Sequence, residues 1–197
     1  MGERKKYHRG RRKKKKGGII STLILIIAIA VFCVSGYQLY KIFGGYHQGK
    51  SEYDKVREVA VHGDDKDEDE FVVDFDELKK INADTVGWIR FYPEPSQISY
   101  PLVQTTDNDL YLNRTFSANE NTVGAIFVNC DNASDFSDRN TIIYGHRMMD
   151  HSMFHDLEKY KDESFWKENP YFYIYTPDGR KLSCHIYSAG IVKDTSS

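Results

Sequence analysis

The residue best suited to acid–base chemistry in this 197-residue sequence is His146, which follows the apolar, strand-like run at residues 140–144. A histidine gains and loses a proton near neutral pH, and a strand end holds such a side chain rigidly, as enzymatic proton transfer requires. A plainer alternative is that a histidine after Tyr144 and Gly145 caps the strand by a hydrogen bond to a backbone carbonyl. The pattern therefore predicts a general acid–base residue at His146 and leaves a structural role open.

Two further histidines follow closely, and their spacing raises the alternative of a metal site. His151 and His155 lie four residues apart, so a helix would place both on one face, as in helical zinc sites. Zinc hydrolases with this spacing carry a glutamate directly after the first histidine, where this chain has Ser152. We therefore predict no metal and no cofactor, with His151 in a loop and His155 at a surface or rim.

The chain contains three cysteines, and none is predicted to act as a nucleophile. Cys33 lies in an apolar segment. Cys184 neighbours His185, a pairing that lowers a thiol pKa where geometry allows. However, it takes an inward position in the alternating run at residues 181–187, as a buried strand residue does. Cys130 follows another apolar run and is predicted to be structural, because free cysteines are among the most buried residues.

The near-balance of 27 basic and 29 acidic residues hides a strong charge asymmetry. Residues 4–16 are almost wholly basic and precede an uncharged apolar run at residues 19–36. Lysine and arginine before such a run are typical of the cytoplasmic flank of a membrane helix rather than of a nucleic-acid-binding arm. We predict a basic cytoplasmic tail at residues 1–18 and a transmembrane signal anchor at residues 19–43. A cleaved secretory signal is the alternative, because residues 28–30 form a small-x-small triplet.

This topology predicts a single-pass protein of the cell membrane, with everything after residue 43 outside the cytoplasm. Residues 44–70 are charged and poor in large aliphatic side chains, which predicts an extracellular stalk or a marginal helix. The globular pattern begins at residue 71, so residues 71–197 are predicted to form one domain. Cys130 and Cys184 are too few for a disulfide scaffold and cannot be paired from sequence.

Residues 71–197 have the pattern of a mostly β domain with short helices. Early acidic residues and apolar residues at helical spacing predict a helix that ends near Asn82. Residues 153–166 fit a helix or helical turns, and the proline and glycine within residues 176–180 predict a hairpin turn. Six strand-like runs are spread along the domain, at residues 86–91, 98–103, 122–129, 140–144, 171–175 and 181–187. This order predicts a mostly antiparallel β-barrel or sandwich.

Seven short motifs run through the domain in a fixed order. They are Asp74-Phe-Asp-Glu-Leu, Asn82-x-Asp84-x-Val-Gly87-Trp88-Ile, Tyr100-Pro-Leu-Val-Gln104, Asp107-Asn108-x-x-Tyr111-Leu112, Gly124-x-Ile-Phe127, Tyr144-Gly-His146-x-Met148 and Met153-Phe154. Their order and spacing resemble those of the class B sortases, and several separate motifs are far more specific than one. The resemblance implies a sortase-like antiparallel β-barrel, here expected to be incomplete, with the final strands missing.

Class B sortases are membrane-anchored cysteine transpeptidases of Gram-positive bacteria. The resemblance implies that this protein cleaves C-terminal sorting signals and attaches proteins to the cell wall. Its partners would be surface proteins that bear sorting signals, a peptidoglycan or pilin amine acceptor, and the membrane, with no nucleic acid. By resemblance, His146 matches the catalytic histidine, and Asn108 and Leu112 match substrate-binding positions near the peptide groove.

The family's nucleophilic cysteine normally follows in a Thr-Leu-x-Thr-Cys motif, with an arginine several residues further on. The sequence contains neither that motif nor the arginine after it. We therefore predict a truncated chain that is inactive as written, because a transpeptidase without a thiolate forms no acyl-enzyme. A frameshift, a partial sequence and a split protein stay open as explanations. The alternative function is a membrane-tethered, non-catalytic peptide-binding module in which His146 is only structural.

Overall fold

The computed structural model describes residues 17–63 and 70–192. The chain divides into two compact units, residues 1–41 and residues 42–197. Most of the predicted cytoplasmic tail and of the acidic run before residue 70 lies outside the described residues.

The described part of the first unit is helical. It belongs to α1 (Gly17–Ala60), which is uncharged between residues 19 and 36 and exposes every described side chain before residue 42. Apolar side chains without protein neighbours suit a hydrocarbon environment. In the part of the chain that the structure describes, α1 is the one helix long and apolar enough to cross a membrane.

The second unit begins with the C-terminal part of α1, residues 42–60, which packs into the globular domain. Four residues of this segment are buried: Gly49, Tyr53, Val56 and Ala60. Steps of four, three and four residues place them on one face of a helix. Of the two predicted alternatives, a stalk and a marginal helix, the structure shows a helix at residues 44–60, and its inner face joins the core.

Two sheets and several short helices follow α1. In chain order the elements are β1 (Val61–His62), β2 (Val72–Val73), α2 (Phe75–Ile81), β3 (Thr85–Phe91), β4 (Ser99–Val103), a 3₁₀ helix at Leu110–Leu112, β5 (Ile126–Val128), β6 (Ile143–Tyr144), a 3₁₀ helix at His155–Lys161, α3 (Glu163–Glu168), β7 (Tyr171–Tyr175) and β8 (Lys181–His185). β1 pairs with β2, and the other six strands form one sheet in the order β6-β5-β4-β3-β7-β8. Neighbouring strands are antiparallel except β4 and β5, which run parallel. This curled half-barrel with short helices confirms the predicted fold class.

Asp74 begins α2, because its carboxylate accepts hydrogen bonds from the N–H groups of Asp76 and Glu77, each at 3.0 Å. The helix ends at Asn82, whose N–H donates to the Leu78 carbonyl at 2.8 Å, as the sequence predicts. Leu78 is fully buried, so its side chain fixes α2 to the sheet.

Successive residues of β3, β4 and β5 are buried, so both faces of these central strands are covered in the core of the second unit. Ile98, Leu102 and Ile126 are fully buried there. Trp88 of β3 is 1% exposed, and its indole N–H donates to the Ser99 hydroxyl at 3.0 Å. A buried indole with a satisfied N–H is a packing residue, as predicted.

β7 and β8 form a hairpin around residues 176–180. The N–H of Thr176 donates to the Arg180 carbonyl at 3.0 Å, and Gly179 supplies the positive φ of 82° that the turn needs. The predicted hairpin is thereby confirmed, and β8 becomes one edge of the sheet, with β6 as the other.

An apolar cleft of about 650 Å³ lies between these two edges. Ile143 of β6 lines one side, Phe172 and Ile186 line the side of the β7–β8 hairpin, and Phe154 and Leu157 lie between them. The curl of the sheet thus brings its opposite edges to one cleft.

Val56→Ala is expected to lower the free energy of unfolding by about 1 to 3 kcal/mol, because it removes buried methyl groups and leaves a cavity. Val59 lies on the same helix but is 44% exposed, so Val59→Ala is the matched control and should change stability by no more than about 0.5 kcal/mol. Urea unfolding of the full chain in detergent micelles, followed by tryptophan fluorescence, measures both. Equal stability of the two variants would contradict the packing of residues 42–60 on the domain.

Candidate active site

The backbone of His146 is held just beyond the end of β6. Its carbonyl accepts a hydrogen bond from the Phe154 N–H at 2.9 Å, and Arg147 and Met153 form an isolated antiparallel bridge beside it. Gly145 permits this close packing, since a Cβ there would lie 2.6 Å from Cδ2 of Phe154. The chain therefore turns back on itself at His146 and fixes its position at the rim of the sheet.

The His146 imidazole is oriented by a backbone carbonyl from a distant part of the chain. Nε2 lies 2.7 Å from the carbonyl oxygen of Leu112. Because a carbonyl oxygen only accepts hydrogen bonds, Nε2 carries the hydrogen of this pair. Nδ1 is then the nitrogen left to take up or release a proton.

Gly124 forms a wall against the imidazole. Its φ is 65°, a left-handed conformation that favours glycine. A Cβ at this position would lie 2.7 Å from Cδ2 of His146 and 2.9 Å from the carbonyl oxygens of Leu112 and Tyr111. Both the backbone conformation and the close approach therefore require glycine here.

The segment that carries the Leu112 carbonyl is anchored through the Tyr111 side chain. The Tyr111 hydroxyl donates to Asp84 at 2.8 Å and accepts from the Asn82 amide at 2.7 Å. Burial is the main cause that raises the pKa of Tyr111 to about 12, so this hydroxyl stays protonated and keeps donating at physiological pH. The 3₁₀ helix at Leu110–Leu112 is thus tied to the start of β3.

A second anchor of the same segment is the turn at Asp107. Its carboxylate accepts hydrogen bonds from the N–H groups of Leu110 and Asp109, each at 2.8 Å. Both hydrogen bonds hold the pKa of Asp107 below its usual value, and the one from the Leu110 N–H has the larger effect. The charged carboxylate therefore stabilises the start of the 3₁₀ helix.

The two predicted substrate-binding residues lie in different settings. Leu112 is brought to His146 through its carbonyl, and its side chain is 37% exposed. Asn108 is half-buried, and its side-chain oxygen accepts a hydrogen bond from the Cys130 N–H at 2.9 Å. The oxygen of Asn108 thus holds the chain after β5, and its role in substrate binding stays a prediction.

All three cysteines are described, and all three are free thiols. Cys184 is half-buried on β8, opposite Phe172 of β7, and burial raises the pKa of its thiol. A raised pKa lowers the thiolate fraction and opposes nucleophilic attack. Cys130 is half-buried beside Asn108. These settings agree with the structural roles that the sequence predicts for both residues.

His151 and His155 do come together, with the carboxylate of Asp156 beside them. One ligand atom from each of the three residues lies within 4.8 Å of the others. His155 is buried rather than at a rim as predicted, because its Nδ1 donates to the Met148 carbonyl at 2.5 Å. The aromatic rings of His151 and His155 are in contact, with centroids 4.0 Å apart.

Cations already balance the carboxylates of this cluster. The Lys159 ammonium lies 2.8 Å from Asp156. The neighbouring Glu158, whose carboxylate is 3.5 Å from Nε2 of His155, lies 2.6 Å from the Arg147 guanidinium. Positive charges at this range repel a divalent ion. The cluster therefore fits a charge-paired packing role better than a metal site, and the absence of a metal stays a prediction.

Two residues at this site were not singled out by the sequence. Gly124 belongs to one of the sortase-like motifs, but only its contact with His146 shows why glycine is required. Tyr53 was placed in the stalk, although its hydroxyl donates to the Gly124 carbonyl at 2.8 Å. The one sequence signal for Tyr53 is its helical spacing from Gly49, Val56 and Ala60.

The chain is similar to two proteins named sortase B. It is 34% identical over 157 residues to the protein from Listeria monocytogenes serovar 1/2a, which covers 76% of this chain and 61% of that protein. It is 30% identical over 148 residues to the protein from Staphylococcus aureus strain NCTC 8325, which covers 75% of this chain and 60% of that protein. The chain thus spans about 60% of the length of the curated relatives it matches. No family model matches the chain.

Solved structures agree with these relatives. Sortase B from Bacillus anthracis in complex with AAEK1 matches with a TM-score of 0.65 and 32% identity, covering 79% of this chain and 76% of that one. Staphylococcus aureus sortase B matches with a TM-score of 0.54 and 34% identity, covering 58% of this chain and 54% of that one. The fold and the shared sequence define the chain as a sortase. Within that family it belongs to class B, as the motifs predict.

Gly124→Ala is expected to destabilise the protein more than Gly179→Ala. Both glycines have positive φ, 65° and 82°, but only at Gly124 would a new Cβ meet neighbouring atoms within 4 Å. Each alanine should cost about 1 to 2 kcal/mol of backbone strain, with about 1 to 3 kcal/mol of overpacking added at Gly124. Urea unfolding of both variants measures the difference. Equal losses would argue against the close contact with His146.

Asp107→Ala is expected to destabilise the protein at neutral pH but not in acid. The folded pKa lies below the unfolded one, so the stabilisation is complete above about pH 4 and is lost as the pH falls through the folded pKa. Asp107→Asn keeps an accepting oxygen without a charge, so its stability at neutral pH should lie between those of wild type and Asp107→Ala. Urea midpoints of the three chains across this pH range measure the effect. If the urea midpoints of wild type and Asp107→Ala differ as much in acid as at neutral pH, the proposed stabilisation by the charged carboxylate is refuted.

Proposed function

We propose that His146 is the proton-transfer residue of a sortase-type cysteine transpeptidase. The observation that carries this proposal is the hydrogen bond from Nε2 to the Leu112 carbonyl, 2.7 Å long. It fixes the ring and leaves Nδ1 as the nitrogen that exchanges protons. A half-buried imidazole at the rim of a curled sheet, in the position that matches the family's catalytic histidine, supports the same role.

The reaction needs a proton donor and then a proton acceptor. A thiolate attacks the carbonyl carbon of the sorting signal, the C–N bond breaks, and the imidazolium gives its proton to the departing amine. The thioester is then attacked by the acceptor amine, which loses a proton to the neutral imidazole as the thiolate leaves. One histidine nitrogen serves both steps, and in this chain that nitrogen is Nδ1 of His146.

The thiolate for this reaction is not supplied by Cys33, Cys130 or Cys184. Cys33 lies in the apolar part of α1, and the other two are half-buried, with the pKa of the Cys184 thiol raised by burial. We therefore propose that these 197 residues alone form no acyl-enzyme. A cysteine and an arginine are the residue types that the resemblance implies for the remaining steps.

The substrates that fit this proposal are surface proteins with sorting signals, and the acceptor is an amine of peptidoglycan or a pilin. Leu112, whose carbonyl lies beside the His146 ring, has an exposed side chain that serves as a contact for the peptide in this proposal. Asn108 offers its amide N–H₂ group as a donor to a substrate, while its oxygen accepts a hydrogen bond from the Cys130 N–H. The apolar part of α1 supports anchoring in the cell membrane, with the N-terminus inside and the sortase domain outside.

A chimaera tests the proposal. A C-terminal segment that carries the cysteine motif and the arginine of the class B sortases is joined after Val192, and cleavage of a quenched sorting-signal peptide is measured. Turnover is expected, and His146→Ala should lower it by about 10²- to 10⁴-fold, the usual contribution of general acid–base catalysis. His151→Ala is the control and should leave the rate unchanged. The 197 residues alone should give no turnover and no thioester adduct by mass spectrometry.

Two results would overturn the proposal. A thioester adduct on Cys184 or Cys130 would show that the nucleophile lies within these residues. A folded chimaera that binds the peptide but does not cleave it would favour the alternative, a membrane-tethered peptide-binding module in which His146 only caps β6.

A further inference from the structure

Two neighbours of the His146 ring, the Leu112 carbonyl and Gly124, come from one segment, residues 111–124. Two backbone hydrogen bonds close this segment. The N–H of Ala125, the residue directly after it, donates to the Tyr111 carbonyl at 3.0 Å, and the Asn121 N–H donates to the Asn113 carbonyl at 2.9 Å. We call residues 111–124 the imidazole loop. It supplies both the Leu112 carbonyl and the wall at Gly124.

The C-terminal part of α1 holds the outer side of the imidazole loop. The Glu52 carboxylate accepts hydrogen bonds from the Ser117 N–H at 3.0 Å and from the Asn119 amide at 3.1 Å. One turn earlier, the Gly49 backbone packs so closely on Val123 that a Cβ there would lie 3.0 Å from its side chain. These contacts join the helix to the loop over several residues.

Tyr53 binds the inner side of the same loop. It is 8% exposed, and its hydroxyl donates to the Gly124 carbonyl at 2.8 Å while accepting from the Phe116 N–H at 3.2 Å. Phe116 and Gly124 are both buried, so no water replaces the hydroxyl without rearrangement. One phenol oxygen therefore bridges the two limbs of the imidazole loop.

The bridge reaches His146 through the backbone of Gly124. The peptide group that Tyr53 binds belongs to the residue whose Cα faces the imidazole, and the same residue lies against the Leu112 carbonyl. If the Gly124 peptide tilts, the wall behind the ring and the carbonyl that accepts from Nε2 both shift. The Tyr53 hydroxyl has no direct contact with the imidazole.

We propose that Tyr53 is a positioning residue for His146, and that residues 49–53 of α1 are a structural part of the active site. The catalytic importance of this role rests on the proposed function of His146. The positioning itself is a property of the imidazole and is measurable without turnover. The positioning role of Tyr53 can therefore be refuted while the transpeptidase proposal stands, and the transpeptidase proposal can fail while Tyr53 still positions the ring.

The experiment measures solvent exchange of the Nε2 hydrogen of His146. The full chain in detergent micelles is labelled with ¹⁵N-histidine, and the His146 signal is assigned by its loss in His146→Gln. Tyr53→Phe removes only the bridging hydroxyl. Exchange of the Nε2 hydrogen is expected to rise by about tenfold, because a hydrogen bond whose acceptor is no longer fixed opens more often. The ¹⁵N shift of the ring should move with it.

Tyr160→Phe is the matched control. Tyr160 is 6% exposed, and its hydroxyl likewise donates to a backbone carbonyl, that of Asn169 at 3.0 Å, away from the imidazole loop. It should leave His146 exchange at the wild-type rate. An equal rise in Tyr53→Phe and Tyr160→Phe would show general loosening and overturn the proposal.

If Tyr53→Phe fails to fold, Glu52→Ala tests whether the contacts between α1 and the imidazole loop position the His146 ring. Glu52 is only half-buried, and its loss frees Ser117 and Asn119 without emptying the core. The rise in His146 exchange should be smaller than with Tyr53→Phe and of the same sign. Wild-type exchange in Glu52→Ala, or in a folded Tyr53→Phe, would overturn the proposal.

Discussion

The hydrogen bond between the His146 ring and the Leu112 carbonyl is the contact on which the site depends. It joins positions 34 residues apart in sequence, so the fold has to bring two separate segments together. The crossover between β4 and β5 delivers the first segment, and the end of β6 delivers the second. Glycine at position 124 lets them meet, because any side chain there would occupy the space of the ring. The geometry of one imidazole therefore places demands on three parts of the chain.

Features that depend on neighbouring residues could be predicted from the sequence. Asp74 caps the helix that follows it, and the turn at residues 176–180 closes the β7–β8 hairpin, since the groups involved lie within a few positions of one another. Apolar, β-rich runs likewise identified the six strands of the larger sheet, whereas the two-residue strands β1 and β2 were not predicted. His146 was identified as a candidate because of its type and its place after a strand. Its partner at Leu112 was expected near the peptide, whereas the structure shows its backbone in direct contact with the ring.

Features that depend on tertiary contacts were not predictable in the same way. The buried face of α1 consists of four residues, Gly49, Tyr53, Val56 and Ala60. Only Tyr53 is large, and many charged residues lie between the four. Such a face is too weakly apolar to distinguish a packed helix from a stalk. The parallel pairing of β4 with β5 could not be predicted from periodicity either, because the apolar pattern of a strand does not depend on the direction of its neighbour.

That parallel pairing also bears on the order of folding. The β7–β8 hairpin closes over a short turn and is expected to form early, because little chain entropy opposes it. β4 and β5 meet only after residues 104–125 have been looped out, a costlier closure that favours late formation. This loop, residues 104–125, contains both the Leu112 carbonyl and Gly124, which lie against the His146 ring. The contact between the His146 ring and the Leu112 carbonyl is therefore expected to form near the end of folding, after the greater part of the sheet is in place.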